Sequence, residues 1–317
     1  MSRARHPRLR RVAHAAFVLF ILLVVALLVR HARNVDWHAV LATIAAYDAR
    51  TLAIVFALVV ASYLVYACYD LAGRGYARHG LSTRRVLLIA ATSYAFALNL
   101  GALVGGAGFR FRMYARSGLA PAAIARVIGF SMASNWLGYV ALAGVVFAAG
   151  AVVPPPQWGF GGGLLRLAGL AMLLLALAYL FACAKWRGRS LHVRGHFFRM
   201  PSLALGALQM ALAAFNWSLM ATILFVLLHG ELAWPLVLAT LLLAAVASAM
   251  VHIPAGIGVI EAVFVAVLGT LVPEHRLLAA VLAYRAAYYL FPLLLALAFY
   301  AAFEARRGKS LRRFKGR

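Results

Sequence analysis

The sequence predicts an all-α polytopic membrane protein, and three observations support this fold class. Hydrophobic residues make up 66% of the 317 residues and charged residues only 12%, which lies far outside the range of soluble domains. Several apolar runs approach the roughly 20 residues that a helix needs to cross a bilayer core. The short alternating strands of a membrane β-barrel are not seen. We therefore expect a single integral membrane domain over residues 1–317, with no separate soluble catalytic domain.

The apolar runs and the basic residues together predict the topology. The runs are 12–29, 51–70, 86–104, 122–150, 166–183, 203–228, 235–251, 259–272 and 278–303. Loops rich in Lys and Arg stay on the cytoplasmic side of the membrane. Most of the 31 basic residues fall in five clusters, which are the N-terminal tail, 74–85, 110–126, 184–200 and the C-terminal tail.

All five clusters become cytoplasmic if 86–117 enters from that side and turns back, and if 235–272 dips in from the outer side. This gives six full spans plus two re-entrant hairpins, with the N- and C-termini cytoplasmic. Three crossings in each half make the second half, 166–303, inverted relative to the first half, 12–150. The alternative is nine ordinary helices of uneven length. Residues 35–50 are too short and polar to cross, and we expect a short interfacial helix there.

Two glycine breaks interrupt the apolar segments at corresponding places. They read Gly106-Ala107-Gly108 and Gly256-Ile257-Gly258, 150 residues apart. Paired broken helices in two halves point to a midplane site in transporter-like folds. Backbone groups freed at such breaks are tolerated only inside protein or beside a wet cavity. We therefore expect the two breaks to meet inside the bundle; the alternative is that the glycines only permit close helix packing.

Glu261 is the only acidic residue deep in an apolar run, since Asp70 lies at the end of its run. An ionisable group at membrane depth is costly and indicates function or a charged partner. The candidate partners are Arg110, Arg112 and Arg285, whose planar guanidinium groups also suit phosphate recognition. A structural Glu–Arg pair and a headgroup-binding role both remain open at this point.

Other polar residues in the apolar runs give weaker signals. Asn99, Asn135 and Asn216 suit either headgroup binding or hydrogen bonds between helices. Pro254 breaks the helix at the second glycine motif. The sequence has no nucleophile–base triad, metal cluster or nucleotide-binding loop, so we expect no enzymatic activity, no cofactor and no metal. The net charge of +24 lies beside apolar runs, which favours anionic lipid over nucleic acid as a partner.

Two segments resemble a known family. They are Asn99-Leu100-Gly101 continuing to Gly106-Ala107-Gly108-Phe109-Arg110-Phe111-Arg112, and Pro254-Ala255-Gly256-Ile257-Gly258-Val259-Ile260-Glu261. The chain resembles the lysylphosphatidylglycerol synthase transmembrane family, or flippase-like family, over about residues 12–305. Many members carry a proline and an acidic residue near the first break, where this sequence has Leu103, Val104 and Phe109. In full-length relatives this region moves aminoacylated phosphatidylglycerol between leaflets, and a cytosolic domain makes that lipid; we expect no such domain in this protein.

The resemblance implies a lipid translocase of the inner (plasma) membrane that handles an anionic or aminoacylated phospholipid. The alternative is a non-transporting partner or regulator of an envelope-lipid synthase; an embedded lipid-modifying enzyme would need a second acid or metal ligand near Glu261. A lipid-synthase partner and a homo-oligomer are both compatible with this interpretation. The residues expected to meet the lipid are Arg110, Arg112, Glu261, Arg285, Asn99, Gly106, Gly108, Pro254, Gly256 and Gly258.

Overall fold

The computed structural model describes residues 36–193, 196–251 and 256–315, and its regular secondary structure is helical apart from one β-hairpin. The expected first span, 12–29, and the N-terminal basic tail lie outside the described residues. Two π-helical segments, Ala102–Gly108 and Ala286–Leu290, interrupt the helices. The helices are α1 (Trp37–Ala45), α2 (Ala49–Ala77), α3 (Thr83–Leu100), α4 (Phe109–Arg116), α5 (Pro121–Ala148), α6 (Gly162–Lys185), α7 (Leu203–Leu227), α8 (Trp234–Val251), α9 (Val259–Leu268), α10 (Glu274–Arg285) and α11 (Phe291–Lys315).

Six segments among the described residues are long and apolar enough to cross a membrane. They are Ala49–Ala77, Pro121–Ala148, Gly162–Lys185, Leu203–Leu227, Trp234–Val251 and Glu274–Phe303. Five of the six coincide with spans expected from the sequence. The sixth, α8, was expected to be the short arm of a hairpin. Its 18 residues give a length of about 27 Å, close to the thickness of a bilayer core, so length alone qualifies it as a span.

Two short elements lie outside these segments. The short helix expected within 35–50 is present as α1, and the Asp36 carboxylate accepts a hydrogen bond from the Ala39 amide at its start. Val40 of α1 packs against α10, which holds the helix on the bundle. The strands β1 (Ser190–Val193) and β2 (His196–Arg199) form an antiparallel hairpin in the basic loop after α6. This hairpin was not predicted from the sequence.

The first glycine break reverses the chain direction at Gly101. This residue has φ of +85°, a conformation that glycine adopts without strain, whereas Gly108 is helical with φ of −64°. The chain then returns beside α3, because the ring of Phe109 stacks on that of Phe96 with 4.1 Å between centroids. A methyl group on Gly105 would overlap the carbonyl group of Phe96, so this close return depends on glycine.

Several basic clusters lie at one end of the bundle, called here the basic end. The Tyr76 hydroxyl, in the cluster 74–85 near the end of α2, donates a hydrogen bond to the carbonyl of Arg199 in the cluster 184–200. A compact apolar cluster also joins the end of α2, the start of α3, the end of α4 and the start of α5. Partly buried side chains of α11 pack against it. Its buried members are Ala77, Val86, Ile89, Met113, Tyr114, Ile124 and Val127.

The second glycine break lies in the segment between Glu231 and Arg276. Glu231 precedes α8, Arg276 follows α9, and their side chains form an ion pair with 2.8 Å between Nη1 and Oε1. Both ends of this segment therefore lie together, beside the Tyr47 and Leu227 contact that joins the start of α2 to the end of α7. This is the end of α2 opposite the basic end. Pro254 lies outside the described residues.

Candidate functional site

A cavity of about 310 Å³ lies between the two glycine breaks. Ala97 and Leu98 of α3 contribute to its wall, together with Ala102 of the π segment that contains the first break. Ser248 of α8 and Gly256 of the second break also contribute. The second break thus borders the cavity through Gly256, whereas the first π segment reaches it through Ala102, and Gly106, Ala107 and Gly108 do not line it. The rest of the wall comes from α2, α3, α5, α7, α8, α9 and the π turn after α10, through Tyr66, Tyr94, Met132, Asn135, Trp136, Trp217, Met220, Leu241, Ala245, Ala249, Ile260 and Tyr289.

The cavity wall is aromatic and uncharged, yet it holds unused hydrogen-bonding groups. Trp217 Nε1 and Ser248 Oγ are buried and have no hydrogen-bond partner among the described residues. A buried polar atom without a partner costs about 1–3 kcal/mol, so such atoms indicate a place for a polar ligand or water. Trp136 is 47% exposed, and the cavity therefore reaches the side of the bundle at this residue.

Glu261 forms its ion pair with Arg285, one of the three partners considered from the sequence. The carboxylate oxygens lie 2.5 Å from Nε and 3.1 Å from Nη2 of Arg285. Nη2 also donates to the carbonyl of Gly256 at 2.8 Å. Glu261 is in the first turn of α9, where the helix dipole favours its negative charge, and Arg285 precedes the π turn that continues α10 into α11. The pair fixes the second break against α10, directly behind Gly256.

A second buried ion pair joins Arg110 to Asp70, with 3.4 Å between Nη1 and Oδ1. The two side chains are 3% and 0% exposed, so both charges are fully desolvated. The Tyr114 hydroxyl donates to Asp70 at 2.8 Å, and Arg110 donates to the hydroxyl of Tyr66 at 3.2 Å. Tyr66 lines the central cavity, so the Arg110–Asp70 pair also lies behind the cavity wall and is separated from the cavity by the Tyr66 side chain.

Sequence reasoning missed Asp70, because it ends an apolar run and resembles an interfacial charge. Asp70 is the single acidic residue of α2 and follows Tyr66 by four residues, on the same helix face. The four-residue spacing between Tyr66 and Asp70 was the sequence signal that could have identified Asp70. The tryptophans of the wall were also missed, although Trp136 and Trp217 each follow an asparagine inside an apolar run.

Asn99 makes a hydrogen bond between the two halves of the chain. Its amide nitrogen donates to the carbonyl of Ala95 within α3 and, at 3.1 Å, to the carbonyl of Tyr289. Tyr289 lies in the π turn Ala286–Leu290, and the widened turn leaves carbonyls available to side chains. The neighbouring carbonyl, of Tyr288, accepts from the Tyr63 hydroxyl at 3.0 Å.

A network of hydroxyl and amide groups fills the space between the two ion pairs. The hydroxyls of Tyr94 and Tyr288 lie 2.9 Å apart. The Ser62 hydroxyl lies 2.7 Å from that of Tyr288, and it donates to the Asn216 amide oxygen at 2.7 Å. Asn216 therefore serves hydrogen bonding between helices, one of the two roles considered from the sequence. These contacts join α2, α3, α7 and the π turn through buried side chains.

The remaining residues predicted for the site lie farther from the cavity wall. Arg112 is exposed and its guanidinium lies 5.8 Å from the ring centre of Tyr300, on the outer side of α4. Gly106 is buried, and a methyl group there would lie 3.0 Å from the Ala97 Cβ. Gly108 is exposed, and Gly258 begins α9 with φ of +80°. Within the described residues, no group of three or more His, Cys, Asp or Glu is placed to hold a metal ion.

Comparison with known proteins decides the family. The model of the family described as the lysylphosphatidylglycerol synthase TM region matches residues 14–296. The chain belongs to this family. It is 41% identical over 305 residues to Inner membrane protein YbhN of Escherichia coli (strain K12), and the match covers 96% of each chain. It is 30% identical over 295 residues to Uncharacterized protein slr0712 of Synechocystis sp., covering 88% of this chain and 87% of that one.

The family membership confirms the resemblance drawn from the two glycine motifs. The matched region runs from before α1 to within α11, so it includes both glycine breaks and all the described residues of the cavity wall. The relative YbhN is, by its name, an inner membrane protein. With six candidate spans, this chain is a membrane protein of the same family.

Proposed function

We propose that the protein is a lipid translocase of the inner membrane, acting on anionic or aminoacylated phospholipids such as phosphatidylglycerol derivatives. The observation that carries the proposal is the central cavity, whose Trp217 and Ser248 polar atoms have no hydrogen-bond partner in the described part of the chain. Its opening at Trp136 faces the side of the bundle, from which a lipid in the bilayer would enter. The proposal assigns transport and no catalytic step to this cavity.

The proposed topology has six full spans, including 12–29, and two re-entrant hairpins in an inverted repeat. The return of the chain beside α3 supports a first hairpin that starts from the basic end. The Glu231–Arg276 pair supports a second hairpin that starts from the opposite end. The basic end is then cytoplasmic by the positive-inside rule. α11 packs against the cluster at the basic end through Phe299, Tyr300 and Phe303, which supports a cytoplasmic C-terminus.

The ion pairs behind the wall suggest how a charged headgroup is handled. A phosphate entering beside Gly256 competes with Glu261 for the guanidinium of Arg285. Opening a buried ion pair without replacement costs about 3–5 kcal/mol, so Arg285 leaves Glu261 only when the phosphate offers charge-assisted hydrogen bonds. The headgroup's hydroxyl or ammonium groups then meet Ser248 and the aromatic rings of the wall. Because Arg285 would exchange Glu261 for the phosphate, the second break would be released from α10 only when the lipid is bound.

The test is inter-leaflet exchange of fluorescent phosphatidylglycerol in vesicles reconstituted with purified protein. Vesicles with wild-type protein should exchange the lipid faster than empty vesicles, and Glu261→Gln should slow exchange towards the empty-vesicle rate. Glu231→Gln is the matched control, because it removes the same charge from an exposed Glu–Arg pair away from the cavity. It should keep the wild-type rate. Equal rates in all four preparations would refute transport and favour a non-transporting partner of a lipid synthase.

A further inference from the structure

A second cavity, of about 470 Å³, lies at the basic end and is called here the arginine cleft. It is separate from the central cavity, and α5 forms a wall of both. Met132, Asn135 and Trp136 of α5 face the central cavity, whereas other α5 residues face the cleft. The cleft is lined by Tyr76, Ala122, Ala125, Arg126, Gly129, Phe130, Ala133, Tyr179, Arg199, Met200, Pro201 and Gln209.

Two arginines give the cleft an uncompensated positive charge. Arg126 and Arg199 are both exposed side chains, and the lining contains no acidic residue to offset them. Among the described residues, neither takes part in an ion pair, in contrast to Arg110 and Arg285 behind the wall of the central cavity. A pair of guanidinium groups free to form forked hydrogen bonds is suited to a phosphate group.

Fixed polar groups form the floor and one edge of the cleft. Gln209 is 2% exposed and accepts a hydrogen bond from the Tyr179 hydroxyl at 2.6 Å. Its amide nitrogen donates to the hydroxyl of Ser134 at 3.0 Å, which holds the side chain in one orientation. At the edge, the Tyr76 hydroxyl donates to the Arg199 carbonyl at 2.7 Å and fixes the end of β2 against α2. The cleft is therefore held by contacts among five segments, namely α2, α5, α6, α7 and β2.

The wall below the arginines is apolar and made of small residues on one face of α5. Ala125, Gly129 and Ala133 follow each other at intervals of four, directly after Ala122. A methyl group placed on Gly129 would meet nothing within 4 Å, so this face is open. A cleft with cations at its mouth and an open apolar wall beneath fits a molecule with a phosphate and a hydrocarbon chain.

We propose that the arginine cleft binds the phosphate of an anionic membrane phospholipid, with the first part of an acyl chain along the small-residue face of α5. The basic end concentrates anionic lipid near this position through the surrounding Lys and Arg residues. The binding site is distinct from the central cavity and does not depend on transport through it. Lipid binding at the cleft and lipid exchange between leaflets are accordingly separate measurements.

The experiment titrates detergent-solubilised protein with phosphatidylglycerol and counts bound lipid by native mass spectrometry. The variants are Arg126→Gln, Arg199→Gln and their combination, and the matched control is the combination Arg84→Gln and Arg85→Gln. The control arginines are exposed at the start of α3 and do not line the cleft. Each cleft substitution should weaken binding about fivefold, as expected for one basic residue near an anionic headgroup, and the control should stay within about twofold of wild type.

Two results would overturn the proposal. The first is equal phosphatidylglycerol binding by wild type and the double cleft variant, or an equal loss in the control. The second is displacement of the lipid by inorganic phosphate at the same molar concentration, which would assign the cleft to a free anion. Unchanged elution profile and thermal unfolding of each variant show that its fold is retained. Because these variants leave the Glu261–Arg285 pair unaltered, a failure of the transport test would leave this result unaffected.

Discussion

The Asn99 amide donates a hydrogen bond to the Tyr289 carbonyl across 3.1 Å, and so joins the tip of the first glycine break to the π turn after Arg285. The contact brings together residues 190 positions apart in the sequence. Because Arg285 holds Glu261 and Gly256, both glycine breaks are fixed to the same turn of the helix pair α10 and α11. The turn thus determines the spacing of the two sides of the central cavity.

Replacing Asn99 by Ala removes this link and leaves the Tyr289 carbonyl without its donor. We expect the free energy of unfolding to fall by about 0.6–2 kcal/mol, the range found for hydrogen bonds between membrane helices. The measurement is an SDS titration in mixed micelles. Asn135→Ala is the matched control, because Asn135 lies in the cavity wall and should lower lipid exchange more than stability. Equal loss of stability in both variants would contradict the linking role.

Replacing Asp70 by Asn leaves Arg110 buried without a counter-charge. We expect a loss of about 3–5 kcal/mol in the free energy of unfolding, the usual cost of breaking a buried pair from one side. Adding Arg110→Met to Asp70→Asn should restore part of that loss, since no uncompensated charge then remains. The exposed pair provides the control, and Glu231→Gln should cost at most about 1 kcal/mol. An Asp70→Asn protein as stable as the control would show that the buried pair is not formed.

Gly105→Ala places a methyl group against the carbonyl of Phe96, where the chain returns beside α3. The returning arm has to move, so we expect reduced yield of folded protein and loss of lipid exchange. The control is Gly75→Ala on an exposed position of α2, where the added methyl meets nothing within 4 Å. It should be neutral or slightly stabilising, because Ala favours a helix by about 1 kcal/mol over Gly. Yield measured by fluorescence-detected gel filtration compares the two, and similar behaviour would refute the close return.

Ser248→Ala removes from the cavity wall a hydroxyl that has no hydrogen-bond partner among the residues the structure describes. Because no hydrogen bond within the described residues is lost, stability should not fall, whereas lipid exchange should slow roughly fivefold if one hydrogen bond of about 1 kcal/mol to the headgroup disappears. Ser131→Ala is the control, since the Ser131 hydroxyl is also buried and unpartnered among those residues but does not line the cavity. Exchange rates that are equal in the two variants would place the lipid elsewhere.

The carboxyl group of Asp48, which caps the start of α2, predicts a pH effect. Hydrogen bonds from Thr51 hold the pKa of Asp48 below its ordinary value of 3.8. A group with a lowered folded-state pKa stabilises the fold above its unfolded pKa, and this contribution is lost as pH falls through the folded pKa. Thermal unfolding should therefore show a smaller decrease on acidification below about pH 4 in Asp48→Asn than in wild type. Identical pH profiles would exclude this contribution.

The sequence predicted the family, most helix boundaries and the short helix α1, because hydropathy and charge are properties of local segments. It also included Arg285 among the partners of Glu261, since both charges lie inside apolar runs. The backbone departs from a regular α-helix at both glycine motifs, as expected. Near the first motif, however, the chain reverses at Gly101 and not within Gly106–Gly108. The reversal needs one residue with positive φ, and motif spacing alone does not identify which glycine adopts it.

The features that the sequence did not reveal depend on contacts between distant segments. Asp70 is buried only because α4 returns beside α2 and brings Arg110 and Tyr114 to it. The wall of the central cavity combines α5, α7 and both breaks, and neither hydropathy nor spacing indicates which faces of these helices point inward. The arginine cleft similarly requires Arg126 and Arg199, which are far apart in the chain, to line one space. Re-entry into the membrane and the inverted repeat remain predictions.

The π turn Ala286–Leu290 also sets the rotational phase of the whole last helix. A π turn contains one residue more than an α-helical turn, so everything after it is rotated by about 100° relative to a straight continuation. This rotation lets Arg285 point at the second break while Tyr300, on α11, faces Arg112 and packs with Phe109. Deleting one residue from the turn would preserve the orientation of either Arg285 or Tyr300, but not of both.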